Sequence, residues 1–308
     1  GEMEGFANHG TQSREAYEYY LLARSFYLRG MDTRSLKSAR GLYRKACEID
    51  PRYARALAGL AICESHLSMR DPDGAIETPL NRSLRALELT PNSAEARAAK
   101  GLALYVTGRF ADAVQELERA MMLDSNLFEA YFFAGRCRRI QGRREQAAAL
   151  FTRAADLRPN DYRCLGLLAD EYRALGRIED AKSAERRCLE RLAAEVKVHP
   201  ENTDAWAFGS AILARLGELA RAAVWAQRAL IMTPDDYLVL YNVARAQALI
   251  GNKPAALDRL EAAFASSPAF RQRLAAWMPL DQDFEALRQE PRYCALEQRL
   301  AQEFPAVG

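Results

Sequence analysis

Groups able to do acid-base or nucleophilic chemistry are sparse in this 308-residue chain. Its only histidines, His9, His66 and His199, lie far apart, and neither a Gly-x-Ser-x-Gly elbow nor a His-Glu-x-x-His metal helix occurs. The six cysteines, Cys47, Cys63, Cys137, Cys164, Cys188 and Cys294, form no Cys-x-x-Cys pair and have no histidine at ligand spacing. Neither a zinc site nor a disulfide framework is expected from them, and a reducing cytoplasm is the simpler setting. No Gly-x-Gly-x-x-Gly or Gly-Lys-Ser loop is present to cradle a phosphate. Most of the 41 carboxylates have an arginine at helical spacing, the pattern of an ion-paired surface. The reading is therefore non-enzymatic, with no catalytic residue, metal or cofactor assigned. What remains is arginine itself, because only six of the 43 basic residues are lysine. A guanidinium fork grips a carboxylate through two parallel hydrogen bonds.

The rest of the composition sets the stage for those arginines. A net charge of +2, 49% apolar residues and 27% charged residues describe a core-forming chain. So small a net charge argues against an obligate nucleic-acid coat, although a local patch is still possible. No apolar run approaches the length of a membrane helix. Residues 1–12, opening Gly-Glu-Met-Glu-Gly-Phe, read as an expression remnant or disordered lead-in to a protein that extends further upstream.

An internal period decides the architecture. Pro51, Pro91, Ser125, Pro159, Pro200, Pro234 and Pro268 are separated by 40, 34, 34, 41, 34 and 34 residues. A period in this range signals stacked supersecondary units. The run from Phe128 to Asp161 places Tyr131, Ala134, Gly135, Gly142, Ala147, Phe151, Ala154 and Pro159 in the order W-x-x-L-G-x-x-Y…A-x-x-x-F…P, with Arg138 where an aromatic residue is usual. This pattern resembles the tetratricopeptide repeat (TPR) family, which implies an all-α, right-handed superhelical solenoid. About seven helix-turn-helix units are expected over 13–268, with capping helices over 269–308.

The extra residues of the second unit fall in SMRDPDGAIETP, where Thr78-Pro79 can begin a helix, and Met31 to Arg34 form an enlarged turn in the first. In the fifth unit no breaker occurs from Arg177 to Pro200, which predicts a second helix about seven residues longer than usual. Gly108, Gly142, Gly176, Gly217 and Gly251 stand at the inter-helix turns and are read as left-handed helix ends. Beyond Pro268 the sequence predicts shorter helices broken at Pro279 and Pro291. They would bury Trp277, Phe284, Leu287, Tyr293 and Leu296 over the last apolar face.

Longer strings carry a further resemblance. EAYEYYLLARSFYLRGMDTRSLKSARGLYRKACEIDPRYARALAGLA, TPDDYLVLYNVARAQALIGNKPAALDRLEAAF and PLDQDFEALRQEPRYCAL are similar to the C-terminal repeat tails of bacterial signalling proteins. Those proteins are class III adenylate/guanylate cyclase-like or winged-helix regulators. The likeness implies a regulatory context; no metal-binding aspartate pair or nucleotide pocket is carried over with it.

In this family, ligands usually lie along the first helix of each repeat, on its second, fifth, ninth, twelfth and thirteenth places. That register implies a face with eight arginines and four carboxylates. The candidate partner-binding residues on it are Tyr20, Arg24, Tyr27, Tyr105, Phe132, Arg136, Arg139, Arg163, Arg173, Tyr241 and Arg245. Arginine forks beside aromatic shelves suit an extended acidic-hydrophobic peptide, and a lysine-poor composition could also produce such a face by itself. The Lys/Asn/Asn/Lys/Arg clamp for chaperone tails is not matched. The leading expectation is a protein-interaction scaffold holding a protein or peptide partner in this groove. One rival is self-association through the end repeats, with Trp277, Met278 and Phe284 as an exposed apolar patch. A weaker one is single-stranded nucleic-acid binding. Occupation of the groove by the chain's own end, 301–308, is a further possibility.

Overall fold

The computed structural model describes residues 10–29, 33–69, 77–265 and 268–304. Residues 1–9, 30–32, 70–76, 266–267 and 305–308 lie outside the described residues, and of the turn expected over Met31 to Arg34 the described part, Thr33 and Arg34, is not turn but the first turn of a helix. Every regular element among the described residues is helical. In chain order they are α1 (Arg14–Arg29), α2 (Thr33–Ile49), α3 (Ala54–Ser68), α4 (Glu77–Leu89), α5 (Ala94–Val106), α6 (Phe110–Leu123), α7 (Phe128–Ile140) and α8 (Arg144–Leu157). There follow α9 (Tyr162–Ala174), α10 (Ile178–Val198), α11 (Thr203–Arg215), α12 (Leu219–Met232), α13 (Tyr237–Ile250) and α14 (Lys253–Phe264). The chain then runs through α15 (Pro268–Trp277), two 3-10 turns (Met278–Leu280 and Gln282–Leu287) and α16 (Pro291–Glu303). The first fourteen helices form seven successive pairs. The expected run of repeats divides into two compact units, 1–138 and 139–308, with the boundary inside α7.

Local chemistry explains where each pair bends. Gly108, Gly142, Gly176, Gly217 and Gly251 all have φ between 73° and 91°, a region in which a side chain would clash with the backbone. Helix starts carry their own acceptors: Ser93, Asn202, Asp236 and Asn252 accept hydrogen bonds from the first free amides of α5, α11, α13 and α14. The helix α10 is 21 residues long against 14 for α12. Its buried residues, Ala181, Ala184, Cys188, Leu192 and Val196, stay on one stripe because two added turns return the same face.

In unit 1 the first helix buries Ala16, Tyr20, Ala23 and Tyr27 and exposes Leu21, Leu22 and Leu28. Tyr20 packs at a tilt against Tyr43 and Tyr53, with ring centres 5.8 and 5.2 Å apart. In unit 2, Trp206 meets Trp225 edge-on at 4.7 Å. The closing segment packs Phe270, Leu274, Met278, Phe284, Leu287, Tyr293, Leu296 and Leu300 onto Tyr237, Tyr241 and Leu260, with Trp277 half-buried against them. Met278 and Phe284 are therefore not an exposed patch, because the end of the last repeat offers an apolar face that they cover. All six cysteines are free thiols, and burial pushes those of Cys47 and Cys137 up to about 12.

Candidate functional site

Six of the eleven register positions fall in unit 1. Tyr27, from α1, donates its hydroxyl to Glu129 Oε1 of α7 at 2.8 Å, across 102 residues of sequence. Its ring meets His66 at 6.2 Å, and His66 meets Phe133 at 5.4 Å, a row of tilted aromatic contacts within this unit. Tyr20 is buried, whereas Arg24, one helical turn later, is exposed. Arg136 is half-buried and lies over the rings of Tyr105 (5.2 Å) and Phe132 (5.7 Å). Tyr105 and Phe132 are themselves buried. The Tyr105 hydroxyl has no hydrogen-bond partner, a state that ordinarily costs about 1–3 kcal/mol.

Unit 2 holds the other five in a different electrostatic setting. Arg139, at the end of α7, donates to Asp170 Oδ2 at 2.6 Å, and Arg215, at the end of α11, donates to Asp170 Oδ1 at 2.5 Å. Arg215 Nε reaches Asp283 Oδ1 at 2.7 Å, and Arg245 Nε reaches Asp283 Oδ2 at 2.8 Å and Asp281 Oδ2 at 3.1 Å. Tyr241 donates its hydroxyl to Asp281 Oδ2 at 2.7 Å. Asn242 accepts from Arg245 at 3.1 Å and donates to the Leu238 carbonyl at 3.0 Å, bracing the guanidinium from behind. Arg173 grips Glu185 with both nitrogens at 2.6 and 2.8 Å, and Arg144 reaches Glu171 at 3.0 Å. Arg163 pairs with Asp161 at the start of its own helix.

Burial alone would push Asp170 up, but Arg215, Arg139 and Arg245 outweigh it and hold the carboxyl well below its usual range. Asp281 shifts the other way, because burial together with Asp283 and Asp170 outweighs the pull of Arg245. Burial raises Glu171 too, despite Arg139 and Arg144 beside it. Burial and the neighbouring Asp281 push the Tyr241 hydroxyl far up, so it remains a donor.

The register thus found one half of a charged network. Arg139, Arg173 and Arg245 do lie together on the inner side of unit 2, but they are already matched by carboxylates, and Arg139 and Arg245 are buried. Asp281, Asp283, Glu171 and Glu185 escaped notice: two lie in the closing segment and two outside the five inner places. A signal was present in Leu280-Asp281-Gln282-Asp283-Phe284, where two acids interrupt an otherwise apolar closing segment. Asp161, the partner of Arg163, is legible as the cap of its helix. Among the described residues no group of three or more metal-ligating side chains occurs, and no helix is long and apolar enough to cross a membrane.

Two sequence models described as tetratricopeptide repeat match, one over residues 64–127 and 166–237 and the other over 128–161. Together they cover more than half of the chain. The chain belongs to the tetratricopeptide repeat family. Solved TPR-like structures agree on the fold: a monomeric IFIT1 mutant with Gppp-AAAA is similar with a TM-score of 0.61 at 15% identity, over 93% of this chain and 71% of that one. The Pseudomonas aeruginosa pilF protein is similar with a TM-score of 0.50 at 19% identity, over 73% of this chain and 95% of that one. No curated protein matches. At these identities the structures speak for the TPR fold alone. TPR proteins are in general scaffolds for protein interactions.

Proposed function

We propose that this protein is a non-catalytic interaction scaffold that holds an extended acidic-hydrophobic segment of a protein partner, with unit 1 as the open binding face. The observation that carries this reading is the seat of Asp281, Asp283 and Phe284. A stretch outside the repeats lies on Arg215, Tyr241 and Arg245, three places of the ligand register, through carboxylate forks and an aromatic contact of 5.5 Å between Phe284 and Tyr241. The ninth place that Arg245 fills is filled in unit 1 by exposed Arg24 and half-buried Arg136. Arg136 stands over an aromatic shelf whose Tyr105 hydroxyl lacks an acceptor. The regulatory, cytoplasmic role in this reading rests on the resemblance of its longer strings to the repeat tails of bacterial signalling proteins. A nucleic-acid strand is the poorer occupant, since the net charge of the chain is only +2 and gives little to hold a run of phosphates.

Selection of displayed random peptides on the whole chain tests this. Peptides with carboxylates next to aromatic or aliphatic residues should enrich, and Arg24→Glu with Arg136→Glu should weaken them at least tenfold. Enrichment of basic peptides, or equal binding by the double variant, would overturn it.

A further inference from the structure

The inner face of unit 2 has a charge count that its repeats leave unbalanced. Arg139, Arg144, Arg173, Arg215 and Arg245 supply five positive charges, and among the described residues the repeat carboxylates paired with them are Asp170, Glu171 and Glu185. The two missing negatives are Asp281 and Asp283, supplied by the strap Met278–Leu287 after the last repeat. Phe284 and Leu287 of the strap are fully buried, and Asp281 also caps the second 3-10 turn by accepting from the Asp283 amide at 3.1 Å. Thus the strap meets the face as a ligand would: two carboxylates on three basic and phenolic groups, then an aromatic ring on Tyr241.

We infer that this face is a second binding site whose resident ligand is the strap, and that it accepts in its place a partner segment of the form aliphatic-Asp-x-Asp-aromatic. This rests on the reading of the protein as a binder of acidic-hydrophobic segments and adds a site and a sequence class to it. Two physical points make exchange feasible. Buried ion pairs contribute little net stability against a matched alternative, so replacing one Asp-x-Asp segment by another trades like for like. The strap's own backbone is made of short 3-10 turns whose closing bonds are long, 3.4 Å for Phe284 to Asp281 and 3.3 Å for Arg288 to Glu285. Its advantage is tethering, equivalent to an effective concentration on the order of millimolar for a short link. With the strap away, the five arginines face three carboxylates, a local excess of positive charge that draws an acidic segment.

The test uses the whole chain and a fluorescein-labelled peptide with the sequence of residues 279–287. For wild type, amide exchange over 280–288 should accelerate as the peptide is raised to millimolar levels. Asp281→Asn with Asp283→Asn should bind the peptide at least tenfold more tightly than wild type, and adding Arg215→Gln should cancel that gain. Should the double variant fail to fold, as judged by circular dichroism, exchange in the wild type decides by itself. Peptide binding that leaves 280–288 as protected as before overturns the second site. So does a double variant that folds but gains no affinity. If Arg24→Glu with Arg136→Glu abolishes binding while the strap stays protected, the open face of unit 1 stands and only this inference fails. If no variant binds any acidic peptide, both fail.

Discussion

Arg245 is held by two carboxylates and an amide, with its remaining nitrogen 3.5 Å from Asp170. Removing one partner of such a buried set strands the others without water, and typically costs about 3–5 kcal/mol. Arg245→Gln should lower the urea unfolding free energy by roughly that amount. Arg292→Gln should leave the midpoint where it is, since Arg292, Glu261 and Asp258 are all exposed to solvent. The same residue shows what the sequence could and could not tell. Helical register places Tyr241 and Arg245 on one face with no structure in hand. It is silent on Asp283, because periodicity describes a helix and its neighbours and carries nothing about a partner 38 residues away. Arg215 and its partner Asp283, 68 residues apart, are a stronger case of the same limit.

Helix crossings in this fold are set by residues that are small where a neighbour is large. A methyl group on Gly209 would lie 2.4 Å from the Trp225 ring, which is already wedged against Trp206. Gly209→Ala should therefore destabilise by about 1–3 kcal/mol through overpacking. Gly41, in the middle of α2, has nothing within 4 Å of that position, so Gly41→Ala should stabilise by roughly 0.5–1 kcal/mol through helix propensity. Thermal melting of the two variants should move in opposite directions. Elements were the most legible level of the sequence: turn glycines, the long α10 and the breaks near Pro279 and Pro291 all follow from local chemistry. The 3-10 geometry of the strap did not, since Asp281 and Asp283 are fixed by the arginines they meet rather than by the propensity of the segment.

Over the whole chain, the balance of buried carboxylates sets the response to acid. Asp170, Asp161 and Glu116 are held below their ordinary range because, although burial pushes each up, neighbouring Arg and Lys side chains outweigh it. For a carboxyl depressed on folding, the unfolded chain binds protons first. Its contribution is present above the unfolded value of about 4 and is lost as pH falls below it. Glu171 and Asp281 are raised, so they oppose this trend, each losing stability as pH climbs from about 4 toward its folded value. Urea midpoints should drop from about pH 4 downward, and Asp170→Asn should start lower yet fall less steeply. The division into two units was not legible in the repeat period, which runs unbroken through α7. Within unit 1, the bond from Tyr27 to Glu129 joins the first and fourth helix pairs directly. Arrays of this kind usually touch only their nearest neighbours and extend under load like a coiled spring. Here the Tyr27 phenol ties the first pair to the fourth, so a pull on the first helix strains the fourth pair at once.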